Sequence, residues 1–482
     1  MKRNPISARL CRFALRRTLR SALPLRFAKN SPLGFAASLC EELSNLCSQL
    51  SIFNFQFSIF NSQFSTFNSL ILLLALLLVP AVAPAQDLPR YKRIVKQLAS
   101  RKYQGRGYAH EGVRKAAKYI EREFRRSGVD EVTLQPFCLD INTFPGRMEL
   151  AVDGRKLKAG RDFTVREYNP ALYGDFNLYH IDTLHYDFQR IRADLARPEN
   201  RGAFVVCDFW FPYRHRSDFA FIQNRDSSGV GGLIYTWREP LKFYKAYGER
   251  VADVPTLWTL ASVMPDDARS IRACIDQQFF KDYATDNVIA KVEGQRHDSC
   301  YIFTAHYDHL GNLGRKVFYG GANDNASGTA AIITLARHYA EHRPRFDTYF
   351  IAFSGEDAYL RGSRWYVDHP VVPLERIKYL FNIDMIGDNN PVLHCEPSDA
   401  GAWAMPVLEQ LNSRGHYFQA LKRAPLEEKS DHYPFAVRGV PCIFFENEEG
   451  DAFPFYHTPQ DDWKHVRHDT YEPLFRLITE FL

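Results

Sequence analysis

The sequence predicts an α/β fold: a three-layer α/β/α arrangement around a mostly parallel mixed sheet, interrupted by an inserted β-rich domain. Three observations carry this expectation. From residue 286 onward, short runs rich in Val, Ile, Phe and Tyr alternate with helix-like stretches, as in a sheet with helical crossovers. Several of those runs lead directly into acids or histidines, and sites in such sheets form at the carboxyl ends of strands. Between 140 and 285 the rhythm changes, and AFVVCDFWF (203–211) and GGLIYTW (231–237) read as strands on either side of SDFAFIQNRDSSG.

Taken in order, the chain divides into four parts. Residues 1–85 read as a low-complexity leader and a signal peptide. SIFNFQFSIFNSQFSTFNS (51–69) is an uncharged near-repeat, and SLILLLALLLVPAVAPAQ (69–86) has an apolar run ending in Ala83-Pro84-Ala85, with cleavage expected before Gln86. The run is too short for a comfortable membrane span. The protein is therefore expected to be exported, periplasmic or secreted, with no stable membrane span once the signal is removed. Residues 86–140 form the N-terminal part of the main domain, and EGVRKAAKYIEREFRRSG (111–128) has helical spacing with Gly128 as its stop. Residues 141–285 form the insert. Residues 286–482 form the main domain, with strands NVIAKVEG, CYIFTAHYD, TYFIAFSGE, KYLFNIDMIG and VPCIFFEN and helices at 325–342 and 362–369.

Charge narrows the class of partner. The formal net charge is +5, yet nine of the 61 Lys and Arg lie in residues 1–29, and the next basic residue follows position 85. Residues 86–482 hold 52 basic and 54 acidic side chains, with no basic stripe for nucleic acid. Six cysteines lie beyond residue 86 at wide spacings without CxxC, so bridges and buried thiols are both open.

The chemistry gathers at strand ends. YIFTA stops at His306-Tyr307-Asp308-His309, TYFIAFSG at Glu356-Asp357, and YLFNI at Asp384. A loop after VPCIFFEN reaches Phe455-Tyr456-His457, and Asp324 opens a helix inside GGANDNASGTAA. Any one of these is ordinarily a cap or a satisfied polar residue; together they make a donor set for two zinc ions. Two metals need a shared carboxylate, and Asp324, among small neighbours, suits that role. His306 and Asp384 would complete one ion, and Asp357 and His457 the other. Glu356 is left to accept a proton from water. Asp308 could accept the ring N–H of a ligand histidine.

These pieces resemble the M28 family of zinc aminopeptidases. The matching stretches are TAHYDHLG, GANDNASG, AFSGED, LRGSRWYV, NIDMIG, SDHYPF and FYHTPQDD, with YQGRG upstream. The resemblance implies two Zn2+ per chain on His306, Asp324, Asp357, Asp384 and His457, with Glu356 as general base. It implies a cis peptide after Asp324, and peptide substrates with a free N-terminus. Tyr456 matches a position where some members polarise the scissile carbonyl, and Asp431 and His432 belong to a motif near the site. One departure is that the family usually has Glu-Glu where this chain has Glu356-Asp357. Residues 200–285 look like a degenerate protease-associated domain. Glutaminyl cyclase, which uses one zinc for acyl transfer, and a non-catalytic peptidase-like binding protein are the alternative readings. HExxH and GxSxG motifs are absent.

Overall fold

A computed structural model describes residues 87–238, 241–243, 247–447 and 453–482. The leader, the signal peptide and the cleavage position before Gln86 lie outside these residues. Both sheets discussed here belong to one compact unit, Ala85–Leu482.

The main sheet has eight strands among the described residues. It comprises β1 (Glu131–Thr143), β10 (Gln278–Val292), β11 (Arg296–His306), β14 (Phe346–Phe353), β15 (Ile377–Ile383), β16 (Val392–Pro397), β17 (Ala420–Arg423) and β18 (Cys442–Glu446). Their spatial order is β1-β10-β14-β11-β15-β18-β16-β17. The central run β14-β11-β15-β18 is parallel. β1 and β10 add on antiparallel at one side, and β16 pairs antiparallel with β18 at the other. β15, IKYLFNI, is buried at every position but one, because helices cover both faces of a parallel sheet.

The two faces separate along each strand, since successive side chains point opposite ways. In β14, Phe350 and Ala352 join the larger core, while Ile351 and Phe353 join the smaller one. The larger core is closed by helices α1 (Leu88–Leu98), α2 (Gly112–Arg126), α5 (Gly328–Glu341), α7 (Ala404–Gly415) and α8 (Tyr471–Phe481). The smaller is closed by α6 (Arg361–Asp368). Phe303 stacks on Phe350 and Phe381 across β14-β11-β15, with ring centroids 5.3 and 5.0 Å apart. Gly328 lets α5 start hard against β15: a Cβ there would sit 2.1 Å from the Ile383 carbonyl oxygen.

The second sheet occupies the insertion and uses β2 (Met148–Val152), β3 (Arg155–Leu157), β4 (Phe163–Val165), β5 (Leu172–His180), β6 (Phe204–Asp208), β7 (Gly232–Trp237), β8 (Thr256–Leu260) and β9 (Ser270–Ile275). Its order is β3-β2-β9-β5-β6-β7-β8-β4, with β5 through β8 parallel. Parallel neighbours need crossovers, and two helices, α3 (Phe188–Leu195) and α4 (Arg216–Gln223), lie in the β5–β6 and β6–β7 connections. The insertion is thus an α/β unit rather than simply β-rich: SDFAFIQNRDSSG is largely helical, and AFVVCDFWF leaves the strand at Asp208 and turns helical from Phe211. The second sheet lies inside the expected span 141–285. Residues 141–143 and 278–285 belong to the long β1–β10 ribbon of the main sheet. A short hairpin, β12 (Asn312–Leu313) and β13 (Val317–Phe318), follows β11. All six described cysteines are free thiols.

Candidate metal centre

The strand order sets the site. β11 lies between β14 and β15, so His306 (the last residue of β11), the Glu356-Asp357 loop after β14 and Asp384 just past β15 meet at one edge. Asp324 reaches that edge from the turn Ala322–Ser327 that opens α5, and His457 from the loop after β18. All five ligand candidates are buried, none more than 8 % exposed.

The two oxygens of Asp324 face different groups. Oδ1 lies 3.2 Å from His306 Nε2, which is also 3.4 Å from Asp384 Oδ2. Oδ2 lies 2.9 Å from His457 Nε2, which is 3.7 Å from Asp357 Oδ1. Glu356 stands further off, with Oε2 3.9 Å from His306 Nε2. Three overlapping groups bring their donor atoms within 4.8 Å of one another: His306 with Asp324 and Asp384; His306 with Glu356 and Asp357; and His309 with Asp324 and Asp357. Asp357 Oδ2, Asp384 Oδ1 and both ring nitrogens of His309 are buried without a hydrogen-bond partner among the described residues. Buried carboxylates left so are costly, and cations among them relieve that cost. The donor set, imidazole and carboxylate only, fits zinc.

Backbone elements hold the ligands by specific bonds. The peptide Asp324–Asn325 is cis, as expected. Asp461 accepts the N–H groups of Asn323 and Asp324 at 2.7 and 3.0 Å, and burial pushes its carboxyl up to about 6. Arg106 is fully buried. Its guanidinium donates to the carbonyls of Tyr307, Gly320, Gly321 and Asp324 at 2.7–2.9 Å and of Leu98 at 3.3 Å. One planar cation thereby ties the end of β11 to the Asp324 turn. Ser430 donates its hydroxyl to Asp384 Oδ2 at 2.9 Å and accepts from Asn382 Nδ2 at 2.8 Å.

Three expected supporting residues do other things. Asp308 lies 3.7 Å from His306 Nδ1, too far for a hydrogen bond. Its carboxylate instead accepts the Glu356 N–H and the Tyr108 hydroxyl, each at 3.1 Å, so it fixes the backbone of the proposed base. His432 pairs with Glu396 at 2.8 Å, in a cluster with Lys429 and Glu446. Asp431 is fully buried, and desolvation raises its carboxyl to about 7. Neither hydrogen-bonds a ligand candidate; their neighbour Ser430 does. Tyr456 stacks on His457 at 3.8 Å and lines a cleft of about 50 Å³ with His306, Asp324, Glu356, Asp384 and His457. A larger cavity of about 480 Å³ lies against the insertion, among Phe209, Tyr235 and Trp258. It contains none of the donor cluster.

Residues 287–482 match the profile of peptidase family M28. That segment is similar to an M28 peptidase domain. Aminopeptidase YwaD of Bacillus subtilis is 28 % identical over 228 residues, 43 % of this chain and 46 % of that protein. Leucine aminopeptidase 2 of Trichophyton equinum is 30 % identical over 172 residues, 34 % of each chain. The aligned parts thus span a third to a half of these relatives. Among solved structures, BSAP, a zinc aminopeptidase from Bacillus subtilis, superposes with a TM-score of 0.62 at 21 % identity, covering 82 % of this chain and 94 % of that one. An aminopeptidase from Aneurinibacillus sp. strain AM-1 gives 0.58 at 20 %, covering 82 % and 93 %. The fold shared with these structures therefore extends well beyond residues 287–482. Arg106, Asp461 and Ser430 escaped the sequence reading of the site. Each is a single residue serving backbone or side-chain atoms remote in sequence, and each lies in a matching stretch (YQGRG, FYHTPQDD and SDHYPF) without a feature that marks its role.

Proposed function

We propose that the protein is an exported zinc-dependent aminopeptidase that removes the N-terminal residue of peptides. The observation carrying this reading is Asp324, whose two carboxylate oxygens face separate ligand sets, while Glu356 Oε2 stands 3.9 Å from His306 Nε2. His306, Asp384 and Asp324 would hold one zinc, and Asp357, His457 and Asp324 the other. Bound there, two zinc ions would acidify a shared water and polarise the scissile carbonyl.

The chain's own residues do the rest. Glu356 is placed to take the proton of the attacking water. Burial raises its proton affinity first, and Asp357, Asp384 and Asp431 add to it against the pull of His306. Having taken that proton, its carboxyl can return it to the leaving amine. Asp308 holds the Glu356 N–H and so keeps that side chain in place. Burial also holds the Tyr456 phenol protonated, well above its ordinary range, so it can donate to the carbonyl oxygen as charge develops. The narrow cleft suits one terminal side chain at a time, and the insertion would shape access in the manner of a protease-associated domain. A single-metal cyclase would leave the second Asp324 oxygen and its partners without a task.

The test is Glu356→Gln, assayed on a panel of aminoacyl-anilides. Hydrolysis should fall roughly 10²–10⁴-fold with metal content unchanged. Undiminished hydrolysis would remove Glu356 from the mechanism.

A further inference from the structure

The two ligand sets leave one fully buried histidine without a role. His309 follows Asp308 just beyond β11 and is 0 % exposed. Its Nδ1 lies 3.3 Å from Asp357 Oδ2 and 3.6 Å from Asp324 Oδ2. Its ring stands at a steep angle to that of His457, with centroids 6.0 Å apart. Neither ring nitrogen meets a hydrogen-bond partner among the described residues. A structural histidine would ordinarily avoid the cost of such a buried, unbonded ring by bonding one of these carboxylates.

The chain nevertheless builds a seat for this ring. The His309 N–H donates to the Arg106 carbonyl at 3.3 Å, and its own carbonyl accepts the Tyr247 hydroxyl. Gly321, at φ 56°, lies beneath the imidazole: a Cβ there would come within 2.4 Å of His309 Cδ2. Across the ring, Asp357 presents Oδ2 towards His309 and Oδ1 towards His457.

We propose that His309 is a fourth protein ligand of the second metal ion, joining Asp324, Asp357 and His457. The proposal rests on the dinuclear reading above. It makes the two sites unequal. One has a single histidine and two carboxylates; the other has two histidines and two carboxylates. The site richer in imidazole suits zinc better, so it should fill first and empty last.

The test compares zinc titration of metal-free full-length protein with that of His309→Ala and His309→Gln, with folding checked by circular dichroism. The unaltered protein should bind two zinc ions with distinct affinities. Both variants should weaken the tighter site at least ~10–100-fold and spare the other. Gln keeps bulk and hydrogen-bonding capacity, so recovery of the original affinity by His309→Gln would overturn the proposal in favour of a positioning role. Unchanged affinities in both variants would overturn it as well. X-ray absorption of the unaltered zinc-loaded protein reads the same point without mutation. Three imidazoles shared by two ions are expected, and two would contradict the proposal. If the unaltered protein binds no zinc, the dinuclear reading fails and this inference with it.

Discussion

Arg106 is the residue on which the geometry of the centre depends most. A guanidinium with no exposed surface has given up its hydration and regains it from five backbone carbonyls. Burial lowers its proton affinity, while Asp324, Asp461, Asp308 and Asp357 oppose that loss. The cation therefore also offsets part of the acidic charge gathered around Asp324. Arg106→Met removes the donor and leaves carbonyls orphaned beside an acidic cluster. Stability should fall by about 3–5 kcal/mol, visible in chemical denaturation, with loss of bound metal. Arg106→Lys should recover little, because an ammonium cannot reach acceptors spread around a plane. A loss below about 1 kcal/mol in Arg106→Met would show that the turn holds itself. Residues of this kind were hidden in the sequence: a lone arginine in a short turn has no period. By contrast, His306, Glu356, Asp357 and Asp384 stood out because each follows an apolar run that can only be a buried strand.

At the scale of elements, helix α5 shows how packing sets a pH dependence. GTAAIITLARHYAE buries its first nine residues and Tyr339. His338, near its end, lies against Phe475 of α8 and stacks on His342. Burial depresses the His338 imidazole to about 4, and burial does the same to His468. An unfolded chain would take up these protons near 6.5, whereas the folded one refuses them until about 4. Stability is therefore full above about pH 6.5 and is lost as pH falls towards 4. For half-buried rings the loss is about 1 kcal/mol each. The melting temperature should drop across that window, and His338→Gln should flatten part of the drop; an unchanged profile would mean that His338 is hydrated. The helix itself was legible from its spacing, as were α2 and the central strands. β16 and β17 were not, since VLHCEP and ALKR are short and lack alternation. Nor were the helices of the insertion, where SDFAFIQNRDSSG mixes polar and aromatic residues without a clear apolar stripe.

At the scale of the whole molecule, the centre joins segments that are far apart in sequence. Arg106, His306, Asp324, Asp357, Asp384 and His457 span most of the described chain. A metal bound among them should stabilise the native state over the unfolded one by mass action. Exhaustive chelation should lower the melting temperature by several degrees, and added zinc should restore it; indifference to chelation would mean that no metal couples these segments. Among the described residues, no helix is long and apolar enough to cross a membrane. The measurement that bears most directly on the account is anomalous diffraction at the zinc edge from crystals of the zinc-loaded protein. The account predicts two peaks about 3.5–4 Å apart, one on each side of the Asp324 carboxylate. A single peak, or two that do not share Asp324, would contradict it.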